Sequence, residues 1–378
     1  MAPIRVGLVG LSGKQASSTR LPAWSSVAHL PTYLQSSDFE LVAVCNGSVE
    51  SAQRAITAFQ LPSTVKAYGN PEDLACDPSV DLVVVSVGVV GHYALAKPAL
   101  LKNKQVFVEW PLAASTKQAD ELTQLARDNN LKTIVGVQAR GDPINLKIKE
   151  IVDSGKIGRV TSTSVLATTA AVPSDTWLEG LESSLDFEVV GANAYHVLFA
   201  HFIDTLTHVL GGFDTQTIQS VFKREVDSIP VPKADGSTVQ HSKTVPDSIF
   251  VQGSLASGAL ASIAMRWVHL NEAINGVGVR WIISGTEGEL ELTTDMAQWQ
   301  FKSEKTLKLK LRGKEVEEVG VKDDGPAFTK GVPGPGVNTA LILDAFAKGD
   351  TTRYADFEQA LETHRLLDVI LEKSGYKH

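Results

Sequence analysis

Val106-Phe107-Val108-Glu109-Trp110-Pro111-Leu112 is an apolar run stopped abruptly by Glu-Trp-Pro. A β-branched and aromatic run closed by proline predicts a buried parallel strand that delivers its last residues to the carboxyl edge of a sheet. In open α/β sheets that edge is where ligands bind. Glu109 and Trp110 are therefore expected to face a crevice, with the carboxylate bonding a ligand hydroxyl or holding a loop. A capped strand end with an aromatic plug has the same local sequence.

Upstream, the pattern repeats. Ile4 to Val9 is a short apolar run closed by Gly10-Leu11-Ser12-Gly13, the strand-then-glycine opening of a dinucleotide-binding βαβ unit. Its logic is a tight turn, close backbone approach to a pyrophosphate and a helix amino end that stabilises negative charge. The match is imperfect: Ser12 replaces the second glycine, and the polar stretch Lys14 to Trp24 precedes the expected helix at Ser25 to Ser36. Phe39 to Cys45 is the next strand and ends at Asn46-Gly47-Ser48, where an NAD-preferring fold places a carboxylate on the ribose hydroxyls. Asn46 and Ser48 remove the repulsion of a 2′-phosphate, so NADP is the expected cofactor, with NAD possible and Arg54 or Lys14 as countercharge. Asn46-Gly47 is also simply a good turn dipeptide.

Alternation of strand and helix continues through Asp81 to Val87, a helix from His92 to about Asn103, a helix over Lys117 to Asn129, and a last strand at Thr133 to Gln138. Val87, Gly88 and His92 follow the central strand, and glycine there lets the backbone approach a nicotinamide ribose. Beyond Gln138-Ala139-Arg140 the style changes. A helix over Pro143 to Asp153 leads to strands of alternating polarity at 160–168, 249–255, 259–267, 278–284, 289–293 and 306–312, interrupted by one long helical stretch from Gly191 to Leu210. Segments 227–239 and 322–337 read as linkers or lids, and two helices, 338–348 and 356–374, end the chain. The fold class is α/β: an N-terminal Rossmann parallel-sheet domain over 1–138, followed by an α+β domain with a large, mostly antiparallel sheet over 139–378.

Composition narrows the function. The chain has 378 residues, of which 43% are hydrophobic and 21% charged, ample for two packed cores. A formal charge of −8 disfavours direct nucleic-acid binding, and no long apolar segment suggests a membrane partner. With Cys45 and Cys76 as the sole cysteines, neither a disulfide framework nor a cysteine zinc site is available, and no metal is expected. The N-terminus has no secretory pattern, so a cytoplasmic address is expected, with a nuclear one under the regulatory reading below.

Ordered landmarks across nearly the whole chain carry a resemblance: the Gly10 turn, Gly88 to His92, Glu109-Trp110-Pro111-Leu112-Ala113, Ser154-Gly155-Lys156-Ile157-Gly158, Gly285-Thr286-Glu287-Gly288-Glu289-Leu290, and Asp356-Phe357-Glu358. Together they resemble the glucose-fructose oxidoreductase/inositol dehydrogenase family, written Gfo/Idh/MocA. Phe107 to Trp110, Gln138 followed by Arg140, and Lys243-Thr244-Val245-Pro246-Asp247 look most like its fungal galactose-regulon repressor branch. The resemblance implies hydride exchange between NAD(P) and a sugar, polyol or related carbonyl compound, and a homodimer joined through the second domain's sheet. It also exposes departures. Trp110 stands where the family's Glu-Lys-Pro has lysine, and the Asp-x-x-x-His-x-x-Asp signature reads Val197-x-x-x-His201-x-x-Asp204.

Candidate catalytic residues are thus His201, Tyr195 as an understudy for the missing lysine, and Trp110. Candidate cofactor residues are Gly10, Ser12, Gly13, Asn46, Ser48, Val87, Gly88, His92, Glu109, Trp110 and Gln138. Trp177, Arg266 and Trp267 are further candidates for a substrate wall. Two functions compete. One is an NAD(P)-dependent oxidoreductase acting on a small carbonyl, imine, enone or sugar-like substrate. The other is a non-enzymatic regulator that retains the dinucleotide fold and binds a transcriptional activator.

Overall fold

The computed structural model describes residues 2–13, 23–168, 176–189, 191, 193–266, 276–295, 298–321 and 325–377. They form two compact units, Met1–Gly141 with Gly325–His364, and Asp142–Asp324 with Arg365–His378. The division departs from the 1–138/139–378 partition expected from sequence, because the segment after Asp324 returns to the first unit. Local patterning cannot encode that return.

The first unit is built on β1 (Ile4–Val9), α1 (Leu30–Gln35), β2 (Phe39–Cys45), α2 (Val49–Ala58), β3 (Lys66–Tyr68), α3 (Pro71–Cys76), β4 (Leu82–Val85), α4 (His92–Leu101), β5 (Gln105–Glu109), α5 (Thr116–Asp128) and β6 (Thr133–Gly136). The strands make a six-stranded sheet in the order β3-β2-β1-β4-β5-β6, with every pair parallel. The central strand β4 is apolar throughout, as a strand covered on both faces must be, and all four residues of β4 and of the last strand, β6, are buried. Strand order reverses between β1 and β4, which places the switch point above Val9 and Val85. Side chains of Ser48, Asn70 and Ser115 accept from main-chain N–H groups at the amino ends of α2, α3 and α5, so these starts are locally encoded. The returning segment adds α8 (Val337–Lys348), whose Ile342, Leu343 and Phe346 complete the first core.

The second unit opens with α6 (Pro143–Asp153) and β7 (Val160–Thr168), followed by α7 (Ala200–Leu210). Strands β8 (Gln219–Lys223), β9 (Ser228–Pro232), β10 (Thr238–Ser242), β11 (Ser248–Ser254), β12 (Leu260–Arg266), β13 (Val279–Gly285), β14 (Gly288–Thr294), β15 (Lys305–Leu311) and β16 (Val316–Glu318) come next. Then come α8 (Val337–Lys348), in the first unit, and α9 (Phe357–Ser374), within which the division between units falls. Eight strands form one sheet in the order β16-β15-β14-β13-β7-β12-β11-β8, antiparallel except for the parallel pair β7–β12. Its inner face packs Trp281 against Phe202 of α7 and against Trp299, with ring centroids 5.6 and 5.8 Å apart. Its other face leaves Leu166, Val221, Phe250 and Leu260 exposed.

Two sequence expectations change. Segment 227–239 is largely a hairpin: β9 and β10 pair from Ser228↔Ser242 to Pro232↔Thr238 around Gly236, at φ 85°. Pro230 and Pro232 hid the strand, because proline argues against strand interiors and is tolerated in such an isolated ribbon. The stretch read as one helix from Gly191 begins as a π-helical turn, Tyr195–Phe199, before α7. A second π turn, Ser25–His29, precedes α1.

Candidate functional site

At the switch point, Gly10 has φ 98°, and a Cβ there would lie 2.4 Å from the Ser86 carbonyl oxygen and 2.5 Å from Val87 Cγ1. Only glycine allows the β1 turn to close over the end of β4. A Cβ on Gly13 would approach Ala55 of α2 within 3.1 Å, so this glycine brings the turn onto the helix. The Gly10 carbonyl accepts from Ser25 Oγ at 2.9 Å, and the Gly10 N–H donates to Cys45 O at 3.0 Å. Ser12 is half-buried beside them, and Lys14 lies outside the described residues.

Asn46 and Ser48 have structural duties at the end of β2. Asn46 Nδ2 donates to the Leu11 carbonyl at 2.8 Å, tying β2 to the glycine turn, and Ser48 Oγ accepts from Ser51 N as the cap of α2. Neither contributes a carboxylate. Arg54 is exposed on α2. Gly88 is open, since a Cβ there would meet nothing within 4 Å, and Val87 is half-buried. His92 Nδ1 lies 2.7 Å from Pro111 O and Nε2 3.0 Å from Val87 O, so the ring clamps the turn after β4 to the turn after β5. Burial lowers its pKa, against the pull of those two carbonyls and of Glu109.

The end of β5 is not free. Glu109 Oε1 sits 2.5 Å from His29 Nε2, and Glu109 Oε2 accepts from Gln138 Nε2 at 3.2 Å. A carboxylate accepts only, so His29 Nε2–H donates to it, and the other ring nitrogen, Nδ1, lies 3.1 Å from the Tyr33 hydroxyl. Of its two expected uses, Glu109 shows the second: it holds the segment before α1. Burial, followed by the Glu109 charge, raises the Tyr33 pKa well above its ordinary value. A Cβ on Gly136 would fall 2.3 Å from Glu109 Oε2, so this glycine makes room for the carboxylate over β6. Trp110, joined to Pro111 by a cis bond, is 7% exposed and packs at 5.0 Å on the His364 ring.

Sequence reasoning missed His29 and His364. His29 and Tyr33 share the i,i+4 spacing of one helix face, which was a usable signal; Glu109 and Trp110, which the two histidines meet, lie far along the chain.

The described residues fit a dinucleotide on two observations besides the glycine turn. Ser86 Oγ, at the end of β4, and Gln138 Oε1, past β6, are buried without hydrogen-bond partners among the described residues. They flank Glu109 on neighbouring strands at the edge where such folds hold ligands.

In the second unit, His201 is 4% exposed and Asp204 fully buried on α7. Tyr195 does not suit the role of proton donor. It is fully buried, its hydroxyl donates to Leu367 O at 2.6 Å, and Phe187, Phe199 and Phe222 surround its ring. Burial, with Asp368 adding to it, raises its pKa well above the ordinary phenol value. Trp177 donates to Leu181 O at 2.9 Å within its own loop, and Arg266 Nε is buried without a partner among the described residues. Trp267 lies outside them. No group of three His, Cys, Asp or Glu able to hold a metal occurs among the described residues, and no helix among them is long and apolar enough to cross a membrane.

Residues 4–137 match the family model of the NAD-binding Rossmann fold of the GFO_IDH_MocA oxidoreductases, and residues 143–294 match that of the Gal80p C-terminal domain. Dehydrogenase aclE of Aspergillus oryzae is 29% identical over 380 residues, covering 98% of this chain and 96% of its own. The galactose/lactose metabolism regulatory protein GAL80 of Kluyveromyces lactis is 32% identical over 267 residues, covering 68% of this chain and 56% of its own. A crystal structure of a super-repressor mutant of Gal80p from Saccharomyces cerevisiae has the same fold, with a TM-score of 0.84 at 22% identity over 99% of this chain and 96% of that one. The chain belongs to the Gfo/Idh/MocA oxidoreductase family and carries the second domain of its Gal80-like members.

Proposed function

We infer that the protein is an NADP-dependent oxidoreductase, able also to use NAD, acting on a small carbonyl, imine, enone or sugar-like substrate. The observation that carries the reading is the glycine turn at the switch point, with Gly10 at φ 98° and Gly13 against α2. The end-to-end similarity to a dehydrogenase supports it. A bound nicotinamide dinucleotide supplies the hydride chemistry. Gly10, Ser12 and Gly13 would hold its phosphates by backbone approach, while Gly88, open above the β4 turn, would admit its ribose. Asn46 and Ser48 favour NADP by what they lack: with no carboxylate at the end of β2, nothing there repels a 2′-phosphate. Gln138 Oε1, a buried acceptor, would take a donor from the cofactor.

On the substrate side, His201 donates a proton to the oxygen or nitrogen that gains electrons, and Trp110 excludes water where the family has lysine. A lysine-free site suits activated carbonyl, imine or enone acceptors better than sugar oxidation. The protein acts as a homodimer through the open face of the eight-stranded sheet, where Leu166, Val221, Phe250 and Leu260 stand exposed, and works in the cytoplasm. The test is a screen of these acceptors with NADPH. Turnover should appear, and His201→Ala should lower the rate by about 10²–10⁴-fold with cofactor affinity nearly unchanged.

The match of residues 143–294 to the Gal80p C-terminal domain, together with Trp110 and Val197, favours one second reading: a regulator that binds NAD(P) and a transcriptional activator, with a nuclear address. Absence of any turnover, combined with tight binding of a fungal activator peptide that responds to NADP, replaces the enzyme with the regulator.

A further inference from the structure

We propose that Asn46-Gly47 is a self-modification site, at which deamidation of Asn46 installs a carboxylate at the end of β2 and turns the protein away from NADP. The chain has a second Asn-Gly pair, Asn275-Gly276, but Asn275 lies outside the described residues. At Asn46 the residue that follows leaves cyclisation unobstructed. Gly47 is exposed, a Cβ on it would meet nothing within 4 Å, and no hydrogen bond holds its N–H among the described residues. The nucleophile is therefore unhindered and unengaged. One side-chain bond restrains the amide, from Asn46 Nδ2 to Leu11 O at 2.8 Å.

The Gly47 amide nitrogen, having lost its proton to hydroxide, attacks Asn46 Cγ. The new C–N bond closes a succinimide while the Cγ–Nδ2 bond breaks, and ammonia leaves with a proton from water. A second water opens the ring at either carbonyl, giving aspartate or isoaspartate. No oxidant or reductant takes part. Both products lose the donor to Leu11 O, the contact that joins β2 to the Gly10–Gly13 turn, and both place a negative charge where a 2′-phosphate would approach.

The effect on cofactor choice rests on the NADP reading above, whereas the modification does not. The experiment therefore follows both on the intact protein held in mildly alkaline buffer at physiological temperature. Peptide mass mapping follows Asn46, and calorimetry follows NADP and NAD. The amide at Asn46 should be lost while that of Asn70, whose side chain caps α3, persists. NADP affinity should fall about tenfold or more as conversion proceeds, with NAD affected less. Gly47→Ala should fold, since its Cβ meets nothing, and should markedly slow both changes, because a side chain on the attacking residue hinders ring closure. Asn46→Asp should show the aged preference without ageing. An Asn46 amide that survives while the urea-unfolded chain loses it overturns the proposal, and so does conversion that leaves NADP affinity unchanged. If fresh protein binds neither dinucleotide, the cofactor reading fails, and the proposed switch falls with it while the mass map still decides the chemistry at Asn46.

Discussion

Each unit buries a carboxylate taken from a landmark of its sequence, and the two are used differently. Asp247, closing Lys243-Thr244-Val245-Pro246-Asp247, accepts from Lys243 Nζ at 2.6 Å and from the Glu225 and Val226 N–H groups at 2.7 and 3.1 Å. Burial lowers the Lys243 pKa while Asp247 pulls it back up. Around this pair the Thr244 carbonyl accepts from Tyr376, and Thr244 Oγ1 from Phe187 N, so the motif knots three distant segments. Glu109 instead meets a histidine and an amide at the carboxyl edge of a parallel sheet, with a buried unpaired acceptor, Gln138 Oε1, beside it among the described residues. A carboxylate with three donors, at the start of an antiparallel strand, is a lock. An incompletely saturated one on the ligand edge is a platform that positions its neighbours. Burial alone does not separate these roles; the partners do.

Breaking the lock should have the largest effect. Asp247→Ala leaves the buried Lys243 charge uncompensated and should destabilise the second unit by about 3–5 kcal/mol, read from urea unfolding. A loss under about 1 kcal/mol would mean that water already reaches the pair. Glu109→Ala should cost less, about 1–3 kcal/mol, because it strands the His29 and Gln138 donors without removing the partner of a buried lysine. Its sharper consequence is functional: the segment before α1 loosens and NADP affinity falls, whereas Asp247→Ala should leave the affinity of the folded protein unchanged. Equal effects of both on NADP would erase the distinction between lock and platform.

The parallel sheet was legible because its strands are largely apolar runs between helical stretches: β2 falls at the residues the pattern predicts, Phe39–Cys45, and in the second unit α6 does the same at Pro143–Asp153. Edge strands were harder. Gln219–Lys223 alternates buried and exposed residues, but its Gln-Ser-Val-Phe-Lys sequence is too short and polar to stand out. Partnerships at the site were invisible for another reason: His29 and Glu109 are 80 residues apart, and only the topology joins them. The same holds for Tyr195, whose aromatic ring and polar tip suit a crevice or a core equally until the Leu367 carbonyl is found to accept its hydrogen bond. Gly10 was readable in advance because a turn after β1 needs its backbone freedom. Asn46 was readable as a missing carboxylate, but its bond to Leu11 O was not.

A smaller effect acts on both units through pH. Burial lowers the His196 pKa from 6.5 to about 4. On acidification the unfolded chain takes up that proton first, so the stability contributed by the neutral ring is whole above pH 6.5 and drains away as pH falls toward 4. Burial shifts His92 in the same direction in the first unit. His196→Gln should flatten the acid limb of stability in the second unit, as followed by denaturant unfolding across that range. A wild-type limb already flat there contradicts the burial of the neutral imidazole.

Whether the first unit is a working platform for NADP is tested most directly by calorimetric titration of the purified protein with NADP and with NAD. NADP should bind at least as tightly as NAD, and Asn46→Asp should move the preference toward NAD. A strong preference of the unaltered protein for NAD, or binding of neither, contradicts the platform.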